Sequence, residues 1–202
     1  MTPAVLRPIL MKLAIASLSL FLLAVWPASP TDLSLGEDRL GFQAPRLGLR
    51  HWLNSAPLEI DALRGKVVLI RWWTDGCPFC AATAPALREL DRKYSSRGLK
   101  VIGIFHPKPA GDWSAERMRA AADQKGFTFP VALDGDWSAL LRWWPDPEKR
   151  GWTSVSFVID KNGIIRYVHP GGEFHEAANR EHARCQRDYK EIEHAIVRLL
   201  NE

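Results

Sequence analysis

The 202-residue chain is 47% hydrophobic and 25% charged, a globular composition with room for one ordinary domain and a leader but not for two domains. Its net charge of +4 comes from 27 basic and 23 acidic residues, interspersed rather than gathered into a stripe, which argues against nucleic-acid binding. Three cysteines are too few for a disulfide scaffold but enough for one redox pair and one remaining thiol.

The first thirty residues differ from the rest. Arg7 and Lys12 precede the uncharged apolar run Leu13 to Trp26, and no acidic residue occurs before Asp32. A basic stretch followed by an apolar run of about 7–15 residues has the form of a secretory signal; a full membrane span takes about 20. Met11-Lys12 would itself make a suitable start for such a signal, and no small-x-small cleavage pattern follows cleanly. Residues 1–30 are therefore expected to be a signal peptide or an uncleaved inner-membrane anchor. That places the domain outside the cytoplasm, in the periplasm or secreted, with membrane contact only through this segment. A disulfide persists there. Residues 31–41 read as a tether and 42–202 as the folded domain.

Arg64-Gly65-Lys66 breaks the chain before Val67 to Trp73, a β-branched and aromatic run expected as a buried strand. Thr74-Asp75-Gly76 is a turn. A helix is expected from Pro78 to about Arg97, with Ala82, Leu87, Leu90 and Tyr94 inward and a kink at Pro85. Leu99 to Phe105 is a second buried strand, Ser114 to Lys125 an amphipathic helix capped by Ser114, Phe129 to Leu133 a short strand and Trp137 to Trp144 a short helix. Val155 to Ile159 and Ile164 to Val168 flank the hairpin signal Asp160-Lys161-Asn162-Gly163. A last helix spans roughly Arg180 to Leu200, with Cys185, Tyr189, Ile192, Ile196 and Leu199 on one face. Strands alternating with helices and closed by a hairpin predict an α/β fold.

Cys77 and Cys80 stand where a strand hands over to a helix. Unpaired backbone N–H groups and the helix dipole stabilise a thiolate at such a position, and Cys-x-x-Cys spacing can lower a thiol pKa from about 8.5 into the range of about 3.5–7.5. Cys80 lies one turn later on the same face. A zinc site would want a second Cys/His pair at ligand spacing, and a staple across two residues closes too small a loop to stabilise much. A redox pair is the favoured reading, with Cys77 as exposed nucleophile and Cys80 as buried resolving thiol.

Cys77-Pro78-Phe79-Cys80 after Trp72-Trp73, the stretch Leu63-Arg64-Gly65-Lys66-Val67-Val68-Leu69, and Pro85 together resemble the thioredoxin superfamily. The nearest branch is the extracytoplasmic TlpA/ResA-like thiol–disulfide oxidoreductases, which Ala44-Pro45, Phe129-Pro130-Val131 and Ser156 to Arg166 also resemble. Over about residues 42–200 the resemblance implies a thioredoxin fold: a central mixed β-sheet flanked by helices, with a TlpA-type insertion. It implies electron exchange with protein thiols and disulfides through Cys77 and Cys80, supplied by a separate electron donor and needing no cofactor. Trp73 is expected beside the site, and Thr153 and Ser154 are expected to offer backbone groups to the partner chain.

Three positions depart from the family pattern. Ser154 stands where the family has a cis-proline; a cis bond before serine would cost about 2.5–4 kcal/mol, so a trans bond and a reshaped groove are expected. Thr83 replaces a frequent glutamate. Arg71 replaces an acidic or amide residue, and it either favours the thiolate electrostatically or faces the far side of the sheet and pairs with a carboxylate.

Two rival constellations remain. Thr74-x-x-Cys77 matches the core of the peroxiredoxin motif, with Cys185 as a distant resolving thiol, although Ile70 stands where that motif has proline. Alternatively, Cys77 and Cys80 with Glu173 or His175, or the His182/Cys185 pair, would bind a soft ion such as Cu(I) or Zn(II). Against these stands the simpler reading of Cys185 as a small apolar residue on the inner face of the last helix. His106, in a stiff His-Pro-Lys-Pro loop, is expected at the surface, with an approach to the site as the alternative, and Trp143, Trp144 and Trp152 either line the groove or pack the core.

Overall fold

The structure is a computed structural model and describes residues 35–202. The leader assigned to residues 1–30 lies outside the described residues. Among those described, no helix is long and apolar enough to cross a membrane.

Val67 to Trp73, an unbroken run of residues suited to a strand covered on both faces, forms β2 (Val67–Trp73), buried throughout. The chain crosses over through α1 (Pro78–Tyr94) and returns as β3 (Leu99–Phe105), parallel to β2 with Val67 opposite Leu99 and Trp73 opposite Phe105. After α2 (Ala115–Gln124), β4 (Val131–Leu133) adds parallel to β3. Two short helices, α3 (Ser138–Trp143) and α4 (Pro147–Arg150), lead to the hairpin of β5 (Ser156–Ile159) and β6 (Ile165–His169). β5 pairs antiparallel with β2. A two-residue β1 (Trp52–Leu53) caps the other edge, giving the mixed sheet β1-β4-β3-β2-β5-β6, and α5 (Ala183–Asn201) closes the chain.

The sheet divides the core in two, and Trp72 and Trp73 show why. Successive side chains on a strand face opposite sides. Trp72 packs with Trp143 and Phe157, at ring separations of 5.4 and 5.8 Å, in one layer. Trp73 packs with Phe105 and Phe127, at 5.0 and 5.1 Å, in the other, beneath α1, α2 and α5. Gly103 on β3 is part of this arrangement, since a Cβ there would lie 2.9 Å from the Trp73 indole nitrogen.

Several expectations are refined. Ser114 caps α2 as read, its hydroxyl accepting the Arg117 N–H at 3.0 Å. The inner face of α5 is the one read from periodicity. In α1, however, Ala82 and Tyr94 are only half-buried, and the buried residues are Cys80, Thr83, Ala84, Ala86, Leu87 and Leu90. The helical signal there includes Thr83, whose polarity hides its burial. Residues 35–41, in the segment read as a tether, dock on the domain through Asp38, whose carboxylate takes two hydrogen bonds from the buried Arg150 guanidinium at 2.9 and 2.6 Å.

Candidate active site

β2 delivers Arg71 and the turn Thr74-Asp75-Gly76, whose glycine adopts φ 64°. Cys77 follows as the N-cap of α1, in extended conformation at φ −92° and ψ 113°. Pro78 occupies the first helical position, where its missing N–H costs nothing. The Cys77 sulfur takes the place of a capping oxygen and accepts the Cys80 N–H at 3.2 Å. Cys77 is half-buried at the rim of a cleft, and Cys80 lies beneath it at 2% exposure.

Two further groups that favour an anion, Ser154 and Arg71, lie beside the deeper sulfur. The Ser154 hydroxyl is 3.3 Å from Cys80 Sγ. The Thr153–Ser154 peptide is trans, as expected, since Lys108–Pro109 is the only cis bond among the described residues. Arg71 is fully buried. It donates to Ser156 Oγ at 3.1 Å and to the Gly172 carbonyl at 2.7 Å, and it lies over the Phe174 ring at 5.6 Å. Among the described residues no carboxylate pairs with it, and its Nε has no hydrogen-bond partner. The far-side ion pair is thereby excluded. The charges that act on this guanidinium are Cys80 and then Cys77, opposing the desolvation that pushes its own pKa down.

The two thiols therefore titrate as one unit. Their mutual hydrogen bond, aided by Arg71 and Ser154 and opposed by burial, lowers Cys80 to about 5. The same hydrogen bond, with burial, raises Cys77 well above the ordinary thiol range. The pair therefore loses its first proton easily: Arg71 and Ser154 favour the anion from beside Cys80, and the Cys80 N–H favours it at Cys77.

Two further supports hold the site. Arg117 of α2 grips Asp75 through two hydrogen bonds of 2.7 and 2.8 Å and Asp112 through one of 2.7 Å, fixing the turn that carries Cys77. His106, expected at the surface, is fully buried. One ring nitrogen meets the Trp73 carbonyl and the other the Thr153 hydroxyl, both at 2.9 Å. Burial lowers its pKa to about 3, so it remains neutral and anchors the residue next to Ser154.

The cleft in front of Cys77 has a volume of about 660 Å³ and is lined by Phe79, Leu141, Trp152, Thr153 and Ser154 among others. Phe79 and Trp152, both 41% exposed, meet edge-to-face at 5.4 Å. A larger cleft of about 770 Å³, between Tyr94, Arg166 and α5, holds no cysteine. Trp73, expected beside the site, is 1% exposed in the core layer that also holds Cys80 and against which Cys77 packs, so it supports the dithiol from within and does not line the cleft. Trp143 and Trp144 are core residues too, leaving Trp152 alone of these three at the rim.

Thr74 is buried, and its hydroxyl donates to Asp75 rather than pointing along the cleft, which removes the contact the peroxidase reading needs. Thr83 is fully buried; it donates to the Phe79 carbonyl at 2.8 Å and accepts the Phe174 N–H at 3.3 Å, fastening the loop after β6 onto α1. Glu173, His175 and Cys185 gather with His182 in a group that includes neither Cys77 nor Cys80. The metal site imagined around the dithiol is thus not what forms.

A family model described as Redoxin matches residues 41–183. The chain is 31% identical over 173 residues to the thiol:disulfide interchange protein DsbE of Escherichia coli K12, covering 82% of this chain and 84% of that one. It is 29% identical over 163 residues to Protein DipZ of Mycobacterium tuberculosis; these make up 79% of this chain, which spans only 21% of DipZ. A solved thiol-disulfide isomerase from Corynebacterium glutamicum superposes with a TM-score of 0.57 at 24% identity, covering 79% of this chain and 97% of that one, a likeness of fold.

Proposed function

The chain belongs to the Redoxin family of thioredoxin-like thiol–disulfide oxidoreductases, and from that premise we propose that Cys77 and Cys80 are its working dithiol, exchanging disulfides with protein partners outside the cytoplasm. In the reducing direction, Cys77 passes its proton across to Cys80 and attacks one sulfur of a client disulfide. The client S–S bond breaks, one client sulfur leaves as a thiolate, and a Cys77–client disulfide forms. Cys80 then loses its proton and attacks Cys77 Sγ, releasing the second client thiolate. The client gains two electrons, and the protein is left with a Cys77–Cys80 disulfide. Arg71 and Ser154 hold the charge on Cys80 while it waits as the resolving nucleophile. A separate electron donor runs the cycle back.

The observation that carries this reading is the stacking of a half-exposed sulfur over a buried one that faces a guanidinium without a carboxylate. Phe79, Leu141 and Trp152 give the cleft an apolar rim suited to a polypeptide rather than a small polar substrate. The extracytoplasmic setting rests on the apolar run Leu13 to Trp26. The test is insulin reduction with a dithiol donor. Cys77→Ser abolishes turnover, and Cys80→Ser accumulates a mixed disulfide with the client. A Cys77→Ser protein of full activity would remove the reading.

A further inference from the structure

The loop between β6 and α5 and the first turns of α5 bring four ligand-bearing side chains together: Glu173, His175, His182 and Cys185. Their ligand atoms all lie within 4.8 Å of one another. Three of them already outline one triangular face. Cys185 Sγ is 3.4 Å from Glu173 Oε1 and 3.7 Å from His182 Nδ1, and His182 Nδ1 is 3.8 Å from the same Glu173 oxygen. Zinc bonds of about 2.3 Å to sulfur and about 2.0–2.2 Å to nitrogen and oxygen give tetrahedral edges of about 3.3–3.6 Å. The observed face is that size with a few tenths of an ångström of slack.

The fourth vertex is also prepared. The His175 ring stands 5.0 Å from that of His182. Its Nδ1 lies 3.0 Å from the Glu176 carbonyl, an outer hydrogen bond of the kind that orients a ligating imidazole and keeps Nε2 available as the ligand atom. The His175 N–H reaches the Cys185 carbonyl at 3.3 Å, which ties His175 to the helix that carries the cysteine, and the Asn179 side chain accepts the His182 N–H at 3.3 Å, which fixes His182 where that helix begins.

The geometry points to a four-ligand site for a borderline divalent cation, Zn²⁺, made by Glu173 Oε1, His175 Nε2, His182 Nδ1 and Cys185 Sγ. One thiolate and one carboxylate neutralise the dication, and the two imidazoles remain neutral. Binding displaces the Cys185 thiol proton to solvent. With all four positions filled by protein, the site is structural. It pins the loop whose Gly172 carbonyl holds Arg71 and whose Phe174 N–H is held by Thr83. It requires nothing of the dithiol and does not rest on the exchange reading.

The test uses the full-length chain carrying Cys77→Ala and Cys80→Ala, so that those sulfurs cannot compete, titrated with Co²⁺ and then Zn²⁺ under a phosphine reductant. One equivalent of Co²⁺ is expected, with a thiolate charge-transfer band and the intense visible bands of four-coordinate cobalt, displaced stoichiometrically by Zn²⁺. In the same background Cys185→Ser abolishes the charge-transfer band and weakens binding at least a hundredfold. His175→Ala, at a half-exposed loop position, weakens it at least tenfold. Zn²⁺ raises the melting temperature of the parent and not of the Cys185→Ser protein. Binding of less than a tenth of an equivalent, or binding undiminished in both variants, overturns the assignment.

Discussion

Replacing Arg71 with methionine keeps much of the side-chain volume and removes the charge that faces Cys80. Unit charges separated by on the order of 5 Å at an effective dielectric of about 20 interact by about 3 kcal/mol, or about 2 pKa units. Cys80, held at about 5, would then lose its proton nearer neutrality. At pH 7 the reduced protein forfeits about 2 kcal/mol, which for a two-electron couple lowers the reduction potential by about 40–50 mV. The oxidised protein moves the other way. It has no thiolate to answer the buried guanidinium, so removing that charge leaves it as stable or more so. The assays are the pH dependence of iodoacetamide alkylation, equilibration with a glutathione buffer, and thermal melts of both redox forms. A folded Arg71→Met protein with unchanged thiol titration and unchanged potential would refute the view that Arg71 is the counter-ion of the dithiol.

Three further outcomes are expected. The Cys80 pKa is depressed in the folded state, from 9.0 to about 5, so its contribution to reduced-state stability is complete above pH 9 and lost as pH falls through 5; the melting temperature of the reduced form should rise relative to the oxidised form across that window, and a constant gap would contradict it. At Gly171 a Cβ would sit 2.2 Å from Trp152 Cγ. Gly171→Ala should therefore cost about 1–3 kcal/mol in urea denaturation and raise KM for insulin, while reduction of a small aromatic disulfide is little changed. Arg117→Ala frees the turn bearing Cys77; because the Asp75 and Asp112 pairs are partly exposed, a loss of about 1 kcal/mol is expected, together with faster alkylation of Cys77, and a wild-type alkylation rate would show that the turn needs no such anchor.

What the sequence made legible was whatever followed a short-range period or a fixed spacing. The apolar run Val67 to Trp73, the five inward positions of α5 and the Cys77–Cys80 step each carry their structural meaning within a few residues. What it hid depended on contacts between distant segments. β1 is two residues long and exists because β4 offers an edge to pair with. His106 resembles a loop histidine until Trp73 and Thr153, 33 and 47 residues away in sequence, are found on either side of its ring.

The two departures at Arg71 and Ser154 belong together. A proline at position 154 would present no hydroxyl, and a carboxylate at position 71 would repel a thiolate on Cys80. Here the hydroxyl meets the sulfur and the guanidinium stands behind it, so both changes act on the same atom and in the same direction. Whatever stabilises that sulfur as an anion stabilises the dithiol against the disulfide, because only the dithiol has an anion to stabilise. On the proposed exchange, the Cys77–Cys80 couple is expected to be more oxidising than the same motif over an apolar or acidic floor. A buried cation also fixes the cost of the opposite state: each time the disulfide forms, Arg71 is left without its partner in a site closed to water. On the proposed exchange, reduction of that disulfide restores an anion opposite Arg71.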